Sequence, residues 1–201
     1  MVRIAVFVSG GGTNLQALID AVKNNEINGE IALVISSKET AFGLERARNA
    51  NIKAEFIKEE KIIIQRLKEE KIDLIVLAGY LSIVGEELVN LYKNKIINIH
   101  PSLIPSFSGP GYYGIRVHKK VFERGVKVSG ATVHFVSNEV DGGPIILQEA
   151  IDISNASSPE EIQKLILENI EHKILKKAVG LFCDNKLKIE NERVTILWRE
   201  H

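Results

Sequence analysis

Short apolar runs and segments of helical period take turns along the first half of the chain. Val2–Val8 precedes Leu15–Val22, Ile31–Ile35 precedes Phe42–Ala50, Ala54–Ile57 precedes Ile62–Lys71, and Asp73–Ala78 precedes Glu86–Tyr92. A run such as Leu74-Ile75-Val76-Leu77-Ala78 is apolar at every position, as expected of a strand covered on both faces. The pattern predicts parallel strands with crossover helices, and so a doubly wound sheet. After Ile99 the style changes to a Pro/Gly/Ser loop from Pro101 to Gly114, a helix from about Ile115 to Arg124, and two runs, Val128–Val136 and Pro144–Ile153, expected to return antiparallel. Ser157-Ser158-Pro159-Glu160-Glu161 offers a cap, a first-turn proline and acidic residues for a long helix running towards Cys183. A last strand is expected at Val194–Trp198. With no repeat or linker to divide it, the chain reads as one α/β domain over residues 1–201, mostly parallel, with an antiparallel C-terminal part.

Composition narrows the classes of function. At 201 residues and 45% hydrophobic content the chain can bury one sizeable core. Its 26 basic and 26 acidic residues cancel, which argues against a nucleic-acid surface or a polybasic membrane patch and favours small-molecule substrates. The amino terminus enters a strand at once and shows neither a long apolar segment nor a cleavable leader pattern, so a cytoplasmic location is expected. Cys183 is the single cysteine, expected to pack at a helix end. Without CxxC, HExxH or a histidine cluster at ligand spacing, no metal is expected.

Ser9-Gly10-Gly11-Gly12-Thr13-Asn14 follows the first strand and opens the first helix. Glycines let the backbone approach an anion closely, Thr13 and Asn14 add donors, and the Leu15 N–H lies in the first turn. The segment is neither GxGxxG nor a P-loop, which lowers the odds of a dinucleotide. A tight β-to-α turn needs glycine in any case, so the glycines alone leave both readings even. Their place after the first strand favours a phosphate.

Candidate chemistry concentrates in Asn98-Ile99-His100-Pro101-Ser102-Leu103-Ile104-Pro105 and in Glu139-Val140-Asp141-Gly142-Gly143-Pro144. Both segments stand at the ends of strand-like runs, Lys95–Ile99 and Gly130–Val136, and together offer an amide, an imidazole and a carboxylate. That trio suits acyl transfer, where a donor meets a developing oxyanion and an acid or base moves protons. Asn98 alone could be a loop-fastening amide, His100 a satisfied core histidine, and Asp141 a hairpin residue. His134 is a supporting residue. His118, His172 and His201 read as surface residues, with His172 the least settled because Glu171 stands beside it.

These motifs, with Gly130-Ala131-Thr132-Val133-His134-Phe135-Val136, Ser9 to Gln16, Ala41-Phe42-Gly43-Leu44-Glu45-Arg46-Ala47 and Val76-Leu77-Ala78-Gly79-Tyr80, resemble the phosphoribosylglycinamide formyltransferase family over nearly the whole chain. The resemblance implies the formyltransferase fold, with a phosphate-binding half at about 1–99 and a catalytic, folate-binding half at about 100–201. It implies transfer of the formyl group of 10-formyltetrahydrofolate to the amine of glycinamide ribonucleotide in purine synthesis, by a monomer or homodimer that uses no metal. Asn98, His100 and Asp141 would be catalytic, with protonated His100 as the acid, favoured by the Asp141 charge. Gly12, Thr13, Asn14 and Leu15 would hold the ribose phosphate and Glu171 would contact the glycinamide substrate. Leu81, Ser82, Ile83 and Val84 would flank the pterin, together with Asn98 and with Ser137, Asn138, Glu139, Val140 and Asp141.

The sequence departs from the family pattern in three places. The link between the proline motif and the next helix, Phe107 to Val117, is longer than usual. The stretch Lys58 to Ile64 is shorter and has no clear match for an arginine that meets the folate's glutamate tail, Lys61 and Arg66 being the candidate substitutes. Glu168 or Leu167 stands where a glutamine is common. Related formyltransferases acting on tRNA, and formyltetrahydrofolate hydrolases, carry an added domain for which this chain has no room. A sugar-nucleotide formyltransferase and a non-catalytic folate or phosphometabolite sensor are the remaining alternatives.

Overall fold

Strands that are apolar on both sides need cover on both sides, and the computed structural model, which describes residues 1–197, supplies it. Strands β1 (Val2–Val8), β2 (Gly29–Ser36), β3 (Lys53–Phe56), β4 (Leu74–Leu77), β5 (Ile96–His100), β6 (Val128–Phe135) and β7 (Ile145–Asp152) form one sheet in the order β3-β2-β1-β4-β5-β6-β7. Pairings from β3 to β5 are parallel, and β6 and β7 return antiparallel. Ile4, Val6 and Val8 face one core, with α1 (Thr13–Lys23), α2 (Phe42–Asn49), α5 (Ile115–Arg124), α6 (Pro159–Ile166) and α7 (His172–Cys183) laid over that side. Ala5 and Phe7 face the other core, under α3 (Glu60–Glu69) and α4 (Glu86–Leu91). The expected doubly wound, mostly parallel α/β domain is what the chain builds.

Local signals act as their chemistry predicts. Ser158 caps α6 by accepting the Glu161 N–H at 3.1 Å, while the Glu161 carboxylate takes the Ser157 N–H at 2.7 Å, and Pro159 sits in the first turn. Cys183 closes α7 and is buried, as expected.

Two features differ from the sequence reading. The last strand, expected at Val194–Trp198, is β9 (Arg193–Ile196), and it has an unexpected hairpin partner, β8 (Leu187–Glu190), across a turn whose central residues, Asn191 and Glu192, both have positive φ. Leu187-Lys188-Ile189-Glu190 alternates as a strand should but is too short a run to stand out; Trp198 and His201 lie outside the described residues. Between α6 and α7 the long helix passes through a π turn at Leu167–Glu171.

Strand order reverses direction between β1 and β4. A crevice opens there at the carboxyl ends of the strands, because the connections leaving β1 and β4 run to opposite faces.

Candidate active site

A cleft of about 930 Å³ occupies that crevice. It is walled by the loop after β1, the loop after β4, the end of β5, residues 109–114, the 136–141 segment, and one face of α6 and the π turn.

At one end lies the glycine loop. Gly12 takes a left-handed conformation (φ 70°) as the residue before α1, and no side chain caps that helix. The first helical bond there runs from Gln16 N to Gly12 O at 2.9 Å, so the N–H groups of Thr13, Asn14 and Leu15 have no helical partner and gather at the positive end of the helix dipole. A Cβ on Gly12 would come within 2.7 Å of Gly43 Cα, so the loop packs against α2 as only glycine permits. Arg46 fastens it from α2, donating from Nε to Gly11 O at 2.8 Å and from a guanidinium N–H to Gln16 Oε1 at 3.2 Å. Gly12, Thr13 and Asn14 line the cleft; the Leu15 side chain is fully buried in the core, so only its amide faces this corner.

Glu171 closes the same end. Its carboxylate is 8% exposed and accepts the Asn14 Nδ2–H at 2.8 Å, and burial pushes its pKa up to about 7. Asn14 Oδ1, also buried, has no partner. Along this face Gln163, Leu167 and Glu171 line the cleft, and Glu168 points to solvent. Of the two residues weighed at the glutamine position, Leu167 is thus the one facing inward, and the amide on this face of the cleft lies one turn earlier, at Gln163. Sequence reading missed Gln163 because a lone polar residue on a charged helix carries no signal of the side it faces.

At the other end β5 and β6 place Asn98 opposite His134 and His100 opposite Thr132. His134 donates from Nδ1 to the Phe135 carbonyl (2.8 Å), which leaves Nε2 as the acceptor for Asn98 Nδ2–H (3.1 Å). The Asn98 amide is therefore oriented, with its second N–H free to donate into the cleft. His100 Nε2–H donates to the Phe107 carbonyl at 2.9 Å, turning Nδ1 towards Asp141 Oδ2 at 3.5 Å. Asp141 Oδ1 lies 3.7 Å from His134 Nε2, and the Gly109 N–H donates to Asp141 Oδ2 at 2.9 Å. Asp141 itself has φ 57°, and the turn behind it presses so closely on β6 that a Cβ on Gly143 would sit 1.9 Å from the Phe135 carbonyl. Two sequence-distant segments, one carrying Asn98 and His100 and the other Asp141, are thus brought together, with His134 beside Asn98 and Asp141.

Burial shapes the charge states here. It lowers the pKa of His100 and outweighs the opposing pull of Asp141 and the Phe107 carbonyl, which favours the neutral imidazole at rest. Burial pushes the Asp141 carboxyl up, but the facing imidazoles of His134 and His100 and the Gly109 N–H together hold it below the usual range. His118, read as a surface residue, is 1% exposed and lines the cleft. It shares the buried stripe of α5 with Val117 and Val121, and the lysines beside it in sequence occupy the opposite side of the helix. Burial, helped by His100, lowers its pKa to about 4, and its Nδ1 has no partner. His172 is half-buried with Nε2 enclosed and unpartnered, so it too departs from the surface reading.

Leu81, Ser82, Ile83 and Val84 form one wall, and Ser137, Asn138, Glu139 and Val140 the facing one. Exposed apolar side chains cluster there, with Leu81 47%, Ile83 88% and Val140 48% exposed. Among the described residues no lysine or arginine lines the cleft, whereas Glu86, Glu139, Asp141 and Glu171 do. Arg66 is held by Glu55 at 2.9 Å and by Glu69 at 2.5 Å, and Lys61 lies outside the cleft lining. Among the described residues no group of three His, Cys, Asp or Glu could hold a metal ion, and no helix is long and apolar enough to cross a membrane.

Residues 2–179 match the family model for formyl transferase. The chain is 37% identical to phosphoribosylglycinamide formyltransferase of Escherichia coli, over 93% of this chain and 90% of that one. To the chloroplastic phosphoribosylglycinamide formyltransferase of Arabidopsis thaliana it is 36% identical, over 97% of this chain and 70% of that one. The crystal structure of glycinamide ribonucleotide transformylase 1 from Symbiobacterium toebii superposes with a TM-score of 0.92 at 41% identity, covering 98% of this chain and 94% of that one.

Proposed function

The chain belongs to the formyl transferase family, and from that premise we propose that it is a phosphoribosylglycinamide formyltransferase. It transfers the formyl group of 10-formyltetrahydrofolate to the amine of glycinamide ribonucleotide in purine biosynthesis. The observation that carries the reading is one cleft with an amide-lined anion corner at one end and an Asn–His–Asp constellation at the other.

Formyl transfer between two amines takes one proton from the attacking nitrogen and returns one to the departing nitrogen. His100 Nδ1 and Asp141 Oδ2 are both acceptors at rest, 3.5 Å apart, and hold a place for one proton between them. A proton leaving the attacking amine lodges there, stabilised by the Asp141 charge, and passes on to N10. Asn98, fixed by His134, donates to the oxyanion that develops on the formyl oxygen. Neutral His100 suits this sequence, because it takes up the proton during the reaction.

The unpartnered amides of Thr13, Asn14 and Leu15 serve the ribose phosphate, with Gly12 shaping the loop. Glu171 and Asn14 face the glycinamide ribose. The folate is a second substrate, and the exposed apolar walls at Leu81, Ile83, Val84 and Val140 fit its pterin, with Ser82 and residues 137–141 offering backbone groups to its edge. Phosphate binding falls mainly to residues 1–99 and catalysis to 100–201, with Glu171 and the Leu81–Val84 wall crossing that line. A cytoplasmic location and a monomer or homodimer belong to the same proposal.

Incubation with 10-formyltetrahydrofolate and glycinamide ribonucleotide, following tetrahydrofolate and formylated product together, tests the reading. Equal amounts of both, lost in His100→Ala, are expected. Tetrahydrofolate without formylated product would replace transfer by hydrolysis, and no turnover would leave a binding protein.

A further inference from the structure

Three strands that lie side by side, β2, β1 and β4, end at the crevice in hydroxyl and amide groups that meet. Ser9 Oγ, 3% exposed, lies 2.7 Å from Ser37 Oγ and accepts the Leu81 N–H at 2.8 Å. Ser9 adjoins the glycine loop, and Leu81 begins the apolar wall. The stretch after β4 is also held by hydrogen bonds at its ends, from Ala78 N to Phe7 O at 2.9 Å and from Gly85 N to Glu60 Oε2 at 2.6 Å, and by the Tyr80 ring edge-on to Phe7 at 5.2 Å. Between those ends the Leu81 N–H is the backbone group held, among the described residues, and Ser9 holds it. The wall carries Ile83, 88% exposed, and Leu81, 47% exposed, apolar side chains whose position depends on the backbone beneath them.

We propose that Ser9 is a positioning residue: through Leu81 it sets the wall at 79–85 against the glycine loop, touching neither substrate itself, and so governs binding of the folate more than of the ribonucleotide. The claim about folate rests on the function proposed above, whereas the Ser9–Leu81 clasp does not. Ser37 completes the hydroxyl pair and, among the described residues, makes no hydrogen bond to the wall, which makes it the internal comparison. Removing either hydroxyl loosens the buried pair, but only removing Ser9 frees Leu81.

The test uses the full chain with Ser9→Ala and Ser37→Ala, measuring hydrogen exchange of the Leu81 amide by NMR and the KM for each substrate. In Ser9→Ala, Leu81 loses its protection and the KM for 10-formyltetrahydrofolate rises about fivefold, the loss expected of one hydrogen bond, while the KM for glycinamide ribonucleotide moves much less. In Ser37→Ala, Leu81 stays protected and the folate KM stays near that of the parent. Retained Leu81 protection in Ser9→Ala would overturn the clasp, even for a chain that shows no turnover. Lost protection with an unchanged folate KM, or equal rises in both KM values in both variants, would overturn the positioning role. Absence of turnover in the parent would strike the proposed function and leave the exchange result to judge the clasp.

Discussion

The two ends of the cleft are built from different materials. At the glycine loop the donors are backbone N–H groups at the start of α1, and the sequence must only avoid side chains that would spoil their approach. At the β5–β6 end the working groups are side chains, each locked by a neighbour: Asn98 by His134, His134 by the Phe135 carbonyl, His100 by the Phe107 carbonyl, Asp141 by the Gly109 N–H. An anion corner tolerates many residues in its donor positions because the donors are common to all of them. A proton-moving site tolerates few, since tautomer and aim depend on each partner.

The sharpest way to break this comparison is at Asn98. Asn98→Ala removes an oriented donor and is expected to cost roughly 3–4 kcal/mol of transition-state stabilisation, a fall of a hundredfold or more in kcat, with the fold intact by circular dichroism. An active variant would remove Asn98 from the side-chain end.

Next come two buried titratable groups, one at each end, whose pH dependences run in opposite senses. Glu171 has its folded pKa raised to about 7, so its contribution to stability is present below about 4.5 and is lost as pH rises through 7. His118 has its folded pKa lowered to about 4, so its contribution is present above about 6.5 and is lost as pH falls through 4. Each window spans at most roughly 3 kcal/mol. Urea midpoints between pH 4 and 8 should show the first slope vanish in Glu171→Gln and the second in His118→Gln; parallel curves for variant and parent would refute the assignment at that residue.

Smaller still is Gly12→Ala. A side chain there meets Gly43 and must adopt positive φ, at a cost of about 1–2 kcal/mol. The expected result is a KM for glycinamide ribonucleotide raised several-fold with kcat little changed. A kcat loss as large as that of Asn98→Ala would erase the distinction between the two ends.

How far the sequence spoke for itself follows the same division. Doubly apolar runs such as Leu74 to Ala78 state the sheet, and the antiparallel return at Val128–Val136 and Pro144–Ile153 reads directly from period and turns. Asn98, His100 and Asp141 were legible because strand ends and a Gly-Gly-Pro turn frame them. His118 was not, since flanking lysines mask the side of α5 on which it lies until the helix is packed. Nor was the π turn, which depends on how Ile170 and Glu171 are buried rather than on propensity. The charge of His100 depends on its burial at the end of β5, a tertiary property without a local signature.

Among the described residues the cleft is lined by four carboxylic side chains and no lysine or arginine, which also bears on how its anionic substrates arrive. Nothing in the lining draws a phosphate or a folate glutamate from beyond its first hydration layers, and the chain as a whole is electrically neutral. Encounter then rests on undirected diffusion, with attraction confined to the short reach of the helix dipole. Stopped-flow association should accordingly stay flat or quicken as salt screens the carboxylates, whereas a site steered by cations would slow.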